Sequence, residues 1–173
     1  VKGLPVLMDA FDEVARRRPE STLMIAGAAN PRAVDVDAVR RWASGHGGRV
    51  QLIEQYVALE DVPPLFERAR VVVTPYVAGY QSGVVHLAMT MARPVVASDV
   101  GDLGSAVEAG VTGLLVPPGD SGALALALEE VLSRPRLAQE MGSAGYARVM
   151  SASSWETVAE QVEVGLTGLL PPT

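Results

Sequence analysis

The chain contains no cysteine, so disulfides and thiol chemistry are excluded. It has only 2 histidines, His46 and His86, and no His/Cys/Asp cluster has the spacing of a metal site. Aromatic residues are scarce at 5%, and no basic stripe with interleaved aromatics exists. With a net charge of −6, neither a nucleic-acid surface nor polybasic attachment to anionic lipid is expected. No apolar run is long enough to cross a bilayer, so no transmembrane segment is expected. No Gly-x-Gly-x-x-Gly follows a strand, which removes the common dinucleotide fingerprint. Of the 14 basic residues, only Lys2 is a lysine, and it stands alone at the start of the first helix.

What is present is a core-forming composition. At 173 residues and 49% hydrophobic, the chain has enough apolar surface for one domain. Helical spacing over Leu4–Arg17 places Leu4, Leu7, Met8, Phe11, Val14 and Ala15 on one face. Strands are expected at 22–26, 50–53, 71–74, 94–98 and 113–116. Helices are expected at 37–44, 62–69 (with Pro63 in the first turn), 84–91, near 105–109, and at 121–132, 135–149 and 155–166. The strands are near-continuous apolar runs without polar alternation, the pattern of a parallel sheet covered on both faces. Alternation with helices makes this an α/β, Rossmann-like, doubly wound parallel sheet with helices on both faces. Such a domain should open on a strand, yet Val1-Lys2-Gly3 leads straight into a helix. A preceding strand, and a preceding domain, are therefore expected elsewhere.

In sheets of this kind ligands bind beyond the carboxyl ends of the strands. The richest such end is Thr74-Pro75-Tyr76-Val77-Ala78-Gly79-Tyr80-Gln81-Ser82-Gly83-Val84-Val85-His86, a strand end, a Gly/Ser turn and a helix start. A turn of that type aims backbone N–H groups and the positive end of a helix dipole at one point, where a phosphate would sit. Ser82 can cap the helix, and Gly83 allows close backbone approach.

Six stretches resemble a known family in order and spacing. They are Lys2-Gly3-Leu4, Met24-Ile25-Ala26-Gly27, Arg68-Ala69-Arg70-Val71-Val72-Val73-Thr74-Pro75, Arg93-Pro94-Val95-Val96-Ala97-Ser98-Asp99-Val100-Gly101, Gly110-Val111-Thr112-Gly113-Leu114-Leu115-Val116-Pro117-Pro118-Gly119-Asp120 and Ser154-Trp155-Glu156. Together they look like the C-terminal, donor-binding domain of a family 4 retaining glycosyltransferase of the GT-B fold. The resemblance implies transfer of a sugar from a nucleoside-diphosphate sugar to an acceptor, without an obligatory metal. Acceptor recognition would belong to an N-terminal domain outside this chain. A cytoplasmic location is expected, with any attachment to the inner membrane made through that domain.

The same resemblance implies residue roles. Lys2 matches the lysine that pairs with the leaving diphosphate, and Gln81-Ser82-Gly83-Val84 occupies the phosphate-facing turn. Tyr56-Val57 falls in the loop that lines the base, where the tyrosine either packs on the base or covers the sheet end. Two glutamates of the family pattern fall on Gly79 and Leu87, and a third acid falls near Ser105, so the sugar and ribose carboxylates are missing. Gln81 either substitutes as a hydrogen-bonding group or is a solvated loop residue. Asp99 either polarises donor groups or turns the chain as an Asx cap.

Other features read as structural. His86 is expected to be a satisfied core or interface residue, and His46 a solvated loop residue. Asp35-Val36-Asp37 mimics a metal motif, but its place before a helix favours capping. Arg16-Arg17-Arg18 reads as a solvated helix end, and Met89 and Met91 as core filler. Two other functions stay open: a degenerate non-catalytic partner of the same family, and a module of another GT-B enzyme such as an epimerase or phosphorylase.

Overall fold

The computed structural model describes residues 2–28, 30, 34–78 and 83–152. Helix α1 spans Leu4–Arg17 and buries Leu7, Ala10, Phe11, Val14 and Ala15, the apolar stripe that three- and four-residue spacing produces. Strand β1 (Leu23–Ala26) pairs in parallel with β2 (Val50–Ile53), with α2 (Val36–Ser44) between them. A single 3₁₀ turn at Leu59–Asp61 leads into α3 (Val62–Arg68), which carries proline in its first turn. Strands β3 (Val72–Thr74), β4 (Val95–Ser98) and β5 (Gly113–Val116) form a second parallel sheet in that order. Helices α4 (Gly83–Thr90) and α5 (Asp102–Ala106) connect them, and α6 (Ser121–Ser133) and α7 (Pro135–Ala152) follow.

Strand β4 shows why this sheet is covered twice. Val96 packs into a core with Leu7, Val14, Leu124 and Val131 of α1 and α6. Its neighbours Val95 and Ala97 point the other way, into a core with Val85, Ala88 and Met89 of α4 and Leu103 of α5. All three are fully buried, and each valine contributes about 1.5–3 kcal/mol by leaving water. A third, smaller core joins Phe11, Ala15, Ala43 and Val50. The expected α/β class with parallel strands and helices on both faces is the observed one.

Boundaries differ in places. Helix α5 begins three residues before the expected 105, because Gly101 (φ 53°) turns the chain directly into it and extended Val107 ends it. Helix α7 runs on to Ala152. The helix expected at 155–166 lies outside the described residues. Asp35 and Asp120 cap α2 and α6 by accepting from the amides of Ala38 (2.9 Å) and Ala123 (2.8 Å), so the Asp-x-Asp stretch is a helix start.

One structural expectation is corrected. His46 is not a solvated loop residue: its side chain is 13% exposed and lies against Phe11 and Trp42. Its Nδ1 faces the Trp42 carbonyl (2.9 Å) and its Nε2 the Asp12 carboxylate (2.9 Å), which also accepts from Trp42 Nε1 (2.8 Å). The buried side of α2, invisible in a Gly-His-Gly-Gly string, pulls the ring inward. Arg16 and Arg17 are the exposed basic helix end expected, and Arg17 donates to Glu129 (2.8 Å) and to Glu13, tying α1 to α6. The hydrogen bond to Glu129 raises its pKa above the usual value. Among the described residues no helix is long and apolar enough to cross a membrane.

Candidate functional site

The start of α1 lies on the carboxyl end of β3. Gly3 adopts φ 69° and ψ 29°, and a Cβ there would fall 1.7 Å from the Pro75 carbonyl oxygen. Only glycine combines that backbone conformation with so close an approach. Lys2 is thereby set beside Tyr76. Its Nζ donates to the Tyr76 hydroxyl (3.0 Å) and lies 4.1 Å from the ring centroid. Tyr76 is itself 8% exposed and belongs to the core under α4. No carboxylate among the described residues pairs with Lys2, which remains exposed. An exposed ammonium held without an acidic partner is a ready counter-charge for an anion.

The first helix after β3 begins at Gly83, so its amino end opens toward the same edge. Gly83 is exposed, and among the described residues a Cβ added to it would meet nothing within 4 Å. Val84 is 37% exposed, and Leu87, three residues on, is half-buried. The Leu87 side chain offers no polar atom. Gly79, Gln81 and Ser82 lie outside the described residues.

Helix α1 starts at the carboxyl end of β3 and returns the chain to the start of β1, so both parallel sheets open toward the Lys2 edge. On that edge Tyr56, just beyond β2, is 82% exposed. It does not cover the sheet end, which removes one of its two expected roles. Val57 behind it is half-buried. Glu54, at the same strand end, is committed to Arg40, whose Nε lies 3.0 and 2.9 Å from its two oxygens. That hydrogen-bonded pair holds the Glu54 carboxyl below its ordinary range.

Asp99 follows β4, is exposed, and does not cap α5, whose start has no side-chain hydrogen bond. Its Oδ1 instead lies over Gly104, where a Cβ would fall 2.1 Å away. The Asx-cap alternative for Asp99 is therefore set aside. Ser105 donates to the Asp102 carbonyl (3.0 Å) and supplies no acid. His86 is exposed on α4, not a core residue: Val85, Ala88 and Met89 take the buried face. Met89 is core filler as expected, being 1% exposed. No group of three or more His, Asp or Glu residues suited to a metal ion occurs among the described residues.

Two residues of the site escape a reading by motif. Gly3 and Tyr76 sit inside the quoted stretches, but only the fold shows that one seats Lys2 and the other holds it. The signal that was available is the lone lysine followed at once by glycine.

Parallel strands with helices on both faces define a doubly wound α/β domain. Residues 1–134 match the family described as "Glycosyl transferases group 1", and the chain belongs to that family. It is 34% identical over 142 residues to an alpha-D-kanosaminyltransferase of Streptomyces kanamyceticus, covering 81% of this chain and 36% of the relative. It is 33% identical over 164 residues to a phosphatidyl-myo-inositol mannosyltransferase of Mycobacterium leprae, covering 93% and 41%. Among solved structures, Anabaena Alr3699/HepE in complex with UDP and glucose superposes with a TM-score of 0.80 at 27% identity. That match covers 97% of this chain and 45% of the Anabaena chain. The chain thus spans less than half the length of these relatives.

Proposed function

We propose that this chain is the donor-binding half of a retaining glycosyltransferase, which moves a sugar from a nucleoside-diphosphate sugar to an acceptor. The observation that carries the reading is Lys2, held on Tyr76 at the carboxyl end of β3 with no acidic partner among the described residues. As the bond between sugar and diphosphate breaks, negative charge grows on the leaving oxygen. An ammonium fixed in advance beside that oxygen stabilises the transition state more than the ground state. The amino end of α4 adds partial positive charge to the same place. Exposed Tyr56 offers a flat surface to the base. Acceptor binding and the remaining chemistry are assigned to the part of the relatives that the match does not cover. We propose further that no divalent cation is needed, since the lysine and the helix supply the positive charge.

The test is calorimetric titration of this chain with UDP, GDP, ADP and dTDP, with and without a chelator. One of them is expected to bind, the chelator to leave the affinity unchanged, and Lys2→Ala to weaken binding about tenfold or more. Binding that needs a divalent cation would remove the metal-free part. Equal binding by Lys2→Ala would remove the phosphate site.

One observation favours a second reading, a non-catalytic partner of another transferase. Leu87 presents half-buried hydrocarbon where the family places a carboxylate. Sugar transfer, or its absence, by the longer protein carrying this domain decides between the two.

A further inference from the structure

We infer that Tyr76 is a positioning residue: it holds the ammonium of Lys2 in place for the donor diphosphate. The inference rests on the reading of Lys2 as the diphosphate's partner and adds the residue that makes that role possible. A lysine has a flexible four-carbon stem, and an exposed one samples many rotamers. Lys2 is restrained on two sides. Its main chain is pinned because Gly3 lies against the Pro75 carbonyl, and its Nζ is pinned by the Tyr76 hydroxyl at 3.0 Å and the ring at 4.1 Å.

The anchor is rigid. Tyr76 is 8% exposed and packs with Val85, Ala88, Met89 and Ala97, so its ring is held by the helix that carries the phosphate-facing start. The ammonium's position is therefore tied to α4, and the two sources of positive charge cannot drift apart. The choice of tyrosine has chemical logic. A carboxylate would hold the lysine just as well but would cancel its charge and repel a diphosphate. A phenol and a π face hold the cation and leave its charge available. The hydroxyl takes one ammonium hydrogen, which leaves two N–H donors for phosphate oxygens.

The experiment is a double-mutant cycle on this chain, using whichever of UDP, GDP, ADP and dTDP binds tightest. Tyr76→Phe keeps the ring and removes the hydroxyl, and is expected to weaken binding about three- to tenfold. In a Lys2→Ala background the same change should cost clearly less, because the ammonium is no longer there to position. An equal loss in both backgrounds would make Tyr76 merely structural and overturn the inference. So would unchanged binding by Tyr76→Phe when Lys2→Ala is impaired. If Lys2→Ala itself binds normally, or no nucleotide binds, the underlying reading fails and takes this one with it.

A second measurement does not depend on the ligand. Lys2 is the chain's only lysine, so its side-chain methylene resonance is assignable directly. It should carry an upfield ring-current shift that persists in Tyr76→Phe and vanishes in Tyr76→Leu. Absence of that shift in the unmodified chain would overturn the inference.

Discussion

Replacing Gly3 by alanine tests the junction on which the site is built. Two separate costs apply. The left-handed conformation at φ 69° costs a non-glycine residue about 1–2 kcal/mol. The new Cβ would also lie 1.7 Å from the Pro75 oxygen and 2.8 Å from its carbon, both backbone atoms that cannot rotate away. Close carbon–oxygen contacts normally stop at about 3.3 Å, so the segments must separate by more than an ångström. Separation gives up the Lys2–Tyr76 contacts, a hydrogen bond of about 0.5–1.5 kcal/mol and a cation–π contact of about 0.5–1 kcal/mol. The sum is about 2–4.5 kcal/mol, which for a chain of this size lowers Tm by roughly 4–18 °C.

Gly47→Ala is the internal control. Gly47 has φ 59° but nothing within 4 Å of a Cβ, so it should lose only the conformational part, about 1–2 kcal/mol. Thermal and urea unfolding of both variants, with nucleotide titration of each, gives the comparison. Gly3→Ala should be clearly the less stable and bind nucleotide more weakly, whereas Gly47→Ala should bind normally. Equal stability of the two variants together with unimpaired binding by Gly3→Ala would refute the docking of α1 on β3.

Three further outcomes are expected. Ala92 ends α4 with φ 51°, so Ala92→Gly should raise the urea midpoint, worth about 1 kcal/mol. Gly142 of α7 lies so close to the Ala92 carbonyl that a Cβ would fall 2.2 Å from it; Gly142→Ala should cost about 1–3 kcal/mol, read as a lowered Tm. Arg40→Ala should return the Glu54 carboxyl from its depressed value toward the ordinary one, followed by carbon-detected NMR titration. The sign follows from linkage: with Arg40 present, the pair stabilises the fold above the ordinary carboxylate pKa and loses that contribution as pH falls through the depressed value. The variant's stability should vary less with pH over that acidic window.

Strand β4 was legible because an apolar run buried on both faces has no polar register to confuse, and residues 94–98 bracket it within one residue. Helix α1 was legible for the opposite reason, since its stripe of Leu7, Phe11 and Val14 repeats cleanly. Helix α5 was misplaced because a left-handed Gly101 cannot be told from any other glycine in a string. His46 misled in the same way: flanking glycines suggest a solvated turn, while Phe11 and Trp42, distant in sequence, create a place for the ring. At the site, Lys2 was singled out by its solitude and by resemblance. Tyr76 was not, because its role arises from a contact across 74 positions of chain. Tyr56 reads equally well as packing on a base or covering the sheet end, and its 82% exposure speaks against the second.

The solitary, solvent-facing amine on its aromatic seat has a practical consequence. Acylating or reductively methylating reagents would meet a single side-chain target here, and a bound pyrophosphate would stand between reagent and nitrogen. The speed of that labelling reaction, followed by mass spectrometry, then becomes a direct gauge of occupancy, with no need for turnover or a known acceptor.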